Sequence, residues 1–445
     1  MQMLDSTVVA TALPAMAEAL GTSVVDTNVI ITSYLLAVAV FVPVSGWAAD
    51  RYGARRVFTA AIVLFTLSSI VCALAQSLPH LVIGRWMQGL AGAMMVPVGR
   101  IILLRKVPKD ELLKAMSFLS MPALLGPIIG PPVGGFFVTY ASWHWIFLIN
   151  VPVGILGIVL VRTYIREDFP RSEVRLDWPG FILSGISIAS LVMGFEAVGH
   201  GNLPPLQLGG LITLGLLTGL LYIWHARRAA NPIIDLSLLQ IRSFAISTLG
   251  GNLCRFAIGA TPFLLAIMLQ VGFGLTALAA GLITFTGAAG ALLMKLVATP
   301  IIRRFGFKQV LTVNAVITGI FIALCALFRA DTPAWLMMVI LVAGGFFRSL
   351  QFTAVNTLTY ADLDARSMSR ASSFSAMAQQ LGISLGVATA AVTMNLSMNV
   401  RGAGELALAD VIWGFIVIGV VTALSALSFL RLPANAGAGL NNPKK

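Results

Sequence analysis

Charge is what this sequence has least of. Only 10% of its 445 residues are Asp, Glu, Lys or Arg, against 58% hydrophobic, and its mean hydropathy is +0.93. A water-soluble domain carries roughly 25% charged residues, so the composition excludes a soluble globular protein and a disordered chain alike. Cysteine is nearly absent. Cys72, Cys254 and Cys325 each sit alone in an apolar stretch, which excludes a disulfide scaffold and leaves small core residues. The four histidines, His80, His144, His200 and His225, are dispersed, so no metal or cofactor site is expected and a membrane enzyme is disfavoured. No GxxxxGK[ST] motif occurs, so ATP is not the expected energy source. Acids are scarcer than bases, 17 against 29, for a net charge of +12. The bases lie scattered between apolar segments rather than in one patch, which does not describe a nucleic-acid surface.

What remains is a chain built for a lipid bilayer. Fourteen apolar segments recur, at 1–20, 26–49, 56–76, 80–103, 112–139, 143–164, 178–199, 206–226, 243–270, 275–301, 308–329, 334–359, 371–397 and 409–431. Each has about the twenty residues an α-helix needs to cross a hydrocarbon core, and no water is available there to satisfy any other backbone. Alternating ten-residue strands are missing, so an outer-membrane barrel is not expected. Twenty-two of the 29 Lys and Arg fall in loops after even-numbered segments, in the C-terminal tail and at adjoining helix ends, whereas only Arg329 and Arg401 fall on the other side. This positive-inside bias predicts both termini in the cytoplasm. No segment has the form of a cleaved signal peptide, and the end of the chain, 433–445, reads as a disordered tail.

Short motifs sit at defined places on this frame. The loop after the second segment reads GWAADRYGARR, with Gly46, Asp50, Arg51, Gly53, Arg55 and Arg56. Gly46 allows close helix approach, Gly53 a tight turn, and Asp50 can pair with cations at facing helix ends. TPIIRRFGFKQV (299–310) repeats GWAADRYGARRV (46–57) at an offset of 253, with Arg303 in place of the aspartate. A repeat in corresponding loops of two halves marks a transporter made of duplicated bundles. The fourth segment carries RWMQGLAGAMMVPVGR, in which Arg85, about 8 Å inside the outer boundary, must find a partner or water and is followed by Gln88, Gly89 and Gly92, while Arg100, near the cytoplasmic end, can snorkel or face substrate. The fifth contains GPIIGPPVGGFF, placing Gly126, Gly130, Gly134 and Gly135 on one small-residue face, with Pro127, Pro131 and Pro132 freeing carbonyls to form a kink.

With these residues in view, the chain resembles the major facilitator superfamily, whose loop signature matches 46–56. GPIIGPPVGGFF resembles its antiporter signature. LDSTVVATALP (4–14), WHWIFLINVPVG (143–154) and the fourteen segments resemble the fourteen-helix drug:proton antiporters, and AGAMMVPVGR their multidrug-resistance D-type branch. The likeness covers essentially the whole chain, although family members generally carry further residues before the first motif. It implies an all-α membrane fold with a six-helix bundle over 1–165, a linker with helices 7 and 8 over 166–230, and a second six-helix bundle over 231–432. It also implies a monomer in the bacterial inner membrane that exchanges protons for small molecules, with the 46–56 motif as the cytoplasmic gate and Asp5, beside Arg85, as the proton-coupling acid.

Charges inside the spans point further. Arg85, Arg100, Arg255, Lys295 and Arg348 face a single intramembrane acid, Asp5. Each costs at least about 2.5 kcal/mol near the centre of a helix, so a wet cavity is expected to receive most of them. Gln88, Arg255, Lys295, Arg348 and Asn356 are therefore the expected substrate residues. The excess of cations leaves a second reading open, an exporter of anionic organic acids or metal chelates such as citrate. A membrane sensor without transport is the remote alternative.

Overall fold

The computed structural model describes residues 1–22, 24–108, 111–166, 173–200, 203–364, 367–402 and 406–437. The end of the expected tail and parts of the basic loops at 109–110, 167–172 and 365–366 lie outside them, as do the side chains of Pro127 and Pro131.

Among the described residues the chain is helical throughout, with no strand. The first group is α1 (Gln2–Ala19), α2 (Val24–Phe41), α3 (Val44–Tyr52), α4 (Ala54–Ala73), α5 (Leu78–Lys106), α6 (Leu112–Tyr140), α7 (Trp145–Leu148) and α8 (Asn150–Tyr164). Next comes a pair, α9 (Trp178–His200) and α10 (Pro205–Ala226), and then α11 (Arg242–Ala245), α12 (Gly251–Ile267), α13 (Ala277–Leu324), α14 (Ala334–Leu358), α15 (Met368–Val400) and α16 (Leu408–Leu430). Among the described residues ten helical segments are long and apolar enough to cross a membrane, and the pair bent by 59° between α2 and α3, taken as one span, makes an eleventh. Pro43 stands at that bend, where it cannot donate the backbone hydrogen bond that would continue α2. α1 and α6, with α13 divided at Gly306, supply further segments compatible with the fourteen expected.

The division of α13 reproduces the loop repeat in three dimensions. Gly53 has φ 93° and ψ 132°, and Gly306, its counterpart 253 residues on, has φ 75° and ψ 159°. Both lie where L side chains are strained, so each half makes the same turn with the same residue type.

Small residues set the helix spacing. α6 lies on α1 through Gly126, Gly130 and Gly134, spaced four apart. A Cβ on Gly130 or Gly134 would come within 2.1 Å of Thr7 Oγ1 or Thr11 Oγ1. Gly135, expected on the same face, is turned away and meets nothing within 4 Å, because one further residue rotates a helix by about 100°. α13 and α14 touch backbone to backbone at Gly290 and Gly345, and α13 meets α16 where Gly319 faces Gly419.

α9 packs on α10 and reaches both α2 and α15, with the Phe41 and Phe181 rings 5.8 Å apart. One buried cluster joins Leu104, Leu112, Leu113 and Met116 of the first group to Met294, Ile302, Phe307 and Leu350 of the last, at the end bearing the basic loops. At the opposite end the groups keep separate cores, one around Val8, Leu81 and Phe147, the other around Leu264, Met337 and Phe415. The expected tail is ordered at its start, since Ala436 is buried and Gly437 lies against Phe307.

Candidate functional site

α1 and α5 bring the intramembrane acid onto a cation. Asp5 Oδ2 accepts a hydrogen bond from Arg85 Nη1 at 2.5 Å, and both side chains are fully buried. Asp5 Oδ1 also accepts from Asn150 Nδ2 at 2.9 Å and from Gln88 Nε2 at 3.4 Å. Arg85 gives its Nε hydrogen to the Ile30 carbonyl at 3.1 Å and a second Nη1 hydrogen bond to Gln88 Oε1 at 2.8 Å, while the guanidinium lies 4.3 Å from the Tyr34 ring centroid. Gln88 completes itself on Ser69 Oγ at 2.7 Å. A buried ion pair in a low dielectric needs most of its remaining donors and acceptors met, and this one is ringed by amides, a hydroxyl and a π face, with Arg85 Nη2 the one guanidinium nitrogen left without a hydrogen-bond partner. Gln88 therefore belongs to the ion-pair cluster rather than to the substrate cavity where the sequence placed it, since both ends of its amide are engaged there.

The loop motif meets the other half of the molecule. Asp50 Oδ1 accepts from Arg105 Nη2 at 2.5 Å and from Ser369 Oγ at 2.6 Å, and Arg105 Nη2 lies 2.7 Å from Ser369 Oγ. Gly46 N donates to Ser373 Oγ at 2.8 Å, and a Cβ there would lie 2.5 Å from the Ser369 carbonyl oxygen. Ser372 donates to the Pro97 carbonyl, and Arg100 Nη1 to Tyr360 Oη at 3.0 Å. These links pin α3 and α5 to the end of α14 and the start of α15. Arg55 instead stays within its own half, donating to the Arg162 carbonyl at 2.9 Å, while Arg51 and Arg56 lie exposed at the surface.

Beside these links, between the halves, lies a cavity of about 450 Å³. Gln2, Leu4, Met95, Arg100, Met116 and Gly126 contribute from one side, Phe352, Thr353, Asn356 and Gln379 from the other, and among the described residues its lining contains no carboxylate. Of the expected substrate residues only Asn356 stands in the wall. Lys295 sits one residue behind it, its Nζ 2.5 Å from Thr353 Oγ1, and Arg255 lies behind Asn356, donating to its Oδ1 at 3.3 Å. Arg255 and Arg348 border a separate small void instead. Arg100, which the sequence left between snorkelling and substrate contact, stands in the cavity wall.

Sequence reasoning missed Arg105, Ser369, Ser373 and Tyr360 as residues of the contact between the two halves. Arg105 reads simply as a topology charge. The one available signal is the serine run SMSRASSFS (367–375) opening an apolar span, since hydroxyls repeated in a membrane helix serve contacts with other helices.

The profile of the Major Facilitator Superfamily matches residues 1–387 and again 247–445. Curated relatives bearing the name multidrug resistance protein MdtD are similar along the whole chain. The protein from Pectobacterium carotovorum is 38% identical over all of this chain and 96% of its own length, and that from Yersinia enterocolitica 38% over all of this chain and 95% of its own. That from Klebsiella pneumoniae is 37% identical over 98% and 93%. Among solved structures, the proton:xylose symporter XylE superposes with a TM-score of 0.65 at 17% identity, covering 98% of this chain and 94% of that one. The human organic anion transporter MFSD10 gives 0.67 at 14% identity, covering 96% of each. At such identities the likeness to the solved structures is one of fold alone.

Proposed function

Because the chain belongs to the major facilitator superfamily, a family of multi-pass membrane transporters, we propose that it is a proton-coupled exporter of small organic compounds. In this reading it resides in the bacterial inner membrane with both termini in the cytoplasm, acts as a monomer, and works by alternating access of the cavity between residues 1–165 and 231–432. The observation that carries the reading is the buried Asp5–Arg85 pair one residue behind a cavity whose walls come from both halves.

With the basic loops in the cytoplasm, the Asp50–Arg105–Ser369 latch closes the cytoplasmic side and the conformation is outward-facing. A proton arriving from outside binds Asp5, cancels the charge that holds Arg85, and lowers the cost of rearranging α1 against α5. When the latch opens, the proton leaves to the cytoplasm, Asp5 recaptures Arg85, and solute occupies the cavity for export. Two discrete packings biased by one buried charge are enough to couple the flows. The α6 glycines let α1 and α6 move as a close-packed unit during this exchange.

A second observation favours anionic solutes. Arg100 stands in the wall, Lys295 and Arg255 lie just behind Thr353 and Asn356, and among the described residues the lining offers no acid to neutralise them. The cavity potential is thereby positive and concentrates carboxylates or their metal chelates.

Reconstituted into proteoliposomes, the protein is tested by adding a panel of ethidium-like cations and citrate-like anions while proton movement is followed, for the wild type and for Arg100→Gln and Arg255→Ala. Anion-dependent proton flux weakened by both variants supports the whole reading. Transport of cations alone, indifferent to both variants, ends the anionic one, and the absence of proton movement with any transported compound ends antiport.

A further inference from the structure

The helices that Asp50 and Ser369 join, α3 and α15, are connected a second time, and that connection runs through the inserted pair α9 and α10. One turn before Asp50, Trp47 donates its indole Nε1 hydrogen to the Val174 carbonyl at 3.0 Å. Val174 lies in the stretch leading into α9, where Asp177, its side chain only 8% exposed, gathers three donors. Asp177 Oδ1 accepts from Gly180 N at 3.0 Å, within α9, and from His225 Nε2 at 2.7 Å, at the end of α10. Asp177 Oδ2 accepts from Ile233 N at 3.3 Å, in the stretch that leaves α10 for the second half. Soon after, Asp235 Oδ2 pairs with Arg370 Nη1 at 2.5 Å, while its Oδ1 accepts from Ser237 N at 3.0 Å. Arg370 is the neighbour of Ser369 on α15. The path thus leaves α3 beside one partner of the Asp50–Ser369 contact and reaches α15 beside the other.

Packing keeps this path taut. Ile233, Ile234 and Leu238 are buried in the cluster that also holds Leu104 and Leu113 of the first half and Phe374 of α15, with Leu176 packed against it. Tyr222 clamps the same stretch, donating to the Ile234 carbonyl and accepting from Ile234 N, each at 2.8 Å. A connection that served only as a covalent tether would run over the surface with its polar groups in water. Here the middle of the path is buried, and its two ends are the exposed parts, since the Trp47–Val174 bond faces solvent and the Arg370 side chain is 42% exposed. Contacts at the surface are the weaker ones, so the ends are where the path gives. We propose that the inserted pair is a strap across the cytoplasmic gate, with Asp177 as its positioning residue. The strap ties α3 to α15 in parallel with the Asp50–Arg105–Ser369 latch, and it must release at its Trp47 or its Arg370 end before that side of the molecule opens. It rests on the reading of this end as the gate and is independent of the solute and of Asp5.

The test uses the full chain in inverted vesicles, whose outer face is the cytoplasmic one. A membrane-impermeant maleimide labels Met95→Cys in the cavity wall, the native cysteines all being buried. Trp47→Phe keeps a ring beside Tyr52 and loses only the N–H, and Asp235→Asn keeps an oxygen for Ser237 N and loses the charge facing Arg370. Loss of either end should speed labelling about fivefold. Trp47 and Asp235 share no hydrogen-bond partner among the described residues, so as separate local contacts their effects would multiply to about 25-fold. In a strap, releasing one end releases the whole, and the double variant should label no faster than the quicker single. A double variant whose effects multiply, or singles that label like the wild type, overturns the strap. Asp177→Asn should match the singles and add nothing to either, and labelling at the wild-type rate would take the positioning role from Asp177. The end variants leave the buried middle intact, so the outcome does not hang on the folding of Asp177→Asn. Asp50→Asn in the same assay separates the strap from the gate reading. Faster labelling in Asp50→Asn with none in the end variants keeps the latch and ends the strap, whereas the reverse ends the latch and keeps the strap.

Discussion

Asp5→Asn keeps the shape of the side chain and removes one charge, so it isolates what the carboxylate does for Arg85. Asn at position 5 can still accept from Asn150 and Gln88 through its carbonyl. The oxygen now 2.5 Å from Arg85 Nη1, however, becomes an amide nitrogen that also donates. Arg85 then retains the Ile30 carbonyl, Gln88 Oε1 and the Tyr34 ring, none of which carries charge. Loss of a neutral hydrogen bond costs about 1 kcal/mol, whereas leaving a buried cation uncompensated costs about 3–5 kcal/mol. The second term applies here because both partners are fully buried. The double variant Asp5→Asn/Arg85→Gln removes both charges and should regain at least about 2 kcal/mol of that loss, since the two sites couple directly. Equilibrium unfolding in nanodiscs measures the stability effect, and solute uptake into inverted vesicles driven by a pH gradient, acid inside, measures transport. Transport should fail in the single and double variants alike, because neither holds a titrating acid at this place. A double variant no more stable than the single would refute the charge argument. Full pH-driven uptake by Asp5→Asn would remove Asp5 from proton coupling.

Gly130→Ala drives a methyl to 2.1 Å from Thr7 Oγ1, whose rotamer is tied by bonds to the Leu4 and Gly126 carbonyls, and should cost about 1–3 kcal/mol by unfolding, while Gly135→Ala, which meets nothing, stays within about 0.5 kcal/mol of wild type. Asp50→Asn weakens a partly exposed latch by about 1 kcal/mol, so accessibility of a cysteine introduced at the loop end to a membrane-impermeant reagent from the cytoplasmic side should rise about fivefold, and an unchanged labelling rate would deny the latch its role. Gly306→Ala has open space for its methyl but the wrong backbone region, so a loss of about 1–3 kcal/mol is expected from conformation alone, and an equally stable variant would show that the break in α13 is not held by φ.

The parts of the molecule legible in its sequence are those whose cause is local. A run of some twenty apolar residues makes a helix because lipid offers the backbone no alternative. Gly53 and Gly306 mark their turns through their own φ, and the antiporter glycines declare close packing by their spacing of four. Which face of a span looks inward is another matter. In water an amphipathic stripe answers it, but a helix bathed in lipid is apolar all round and carries no such stripe. Depth was therefore readable for Arg100, Arg255, Lys295 and Arg348, and direction was not. Arg100 stands in the cavity wall, Lys295 and Arg255 act through Thr353 and Asn356, and Arg255 with Arg348 turns to a void of its own. The partner of Asp50 was hidden for a related reason. Arg105 lies 55 residues away and Ser369 lies 319 away, so no window on the chain contains the contact. The serine run at 367–375 outweighs its modest chemistry for the same cause: where hydrophobicity cannot distinguish faces, a cluster of hydroxyls at a helix end is among the few marks that can, and here its Ser369, Ser372 and Ser373 bond to the other half.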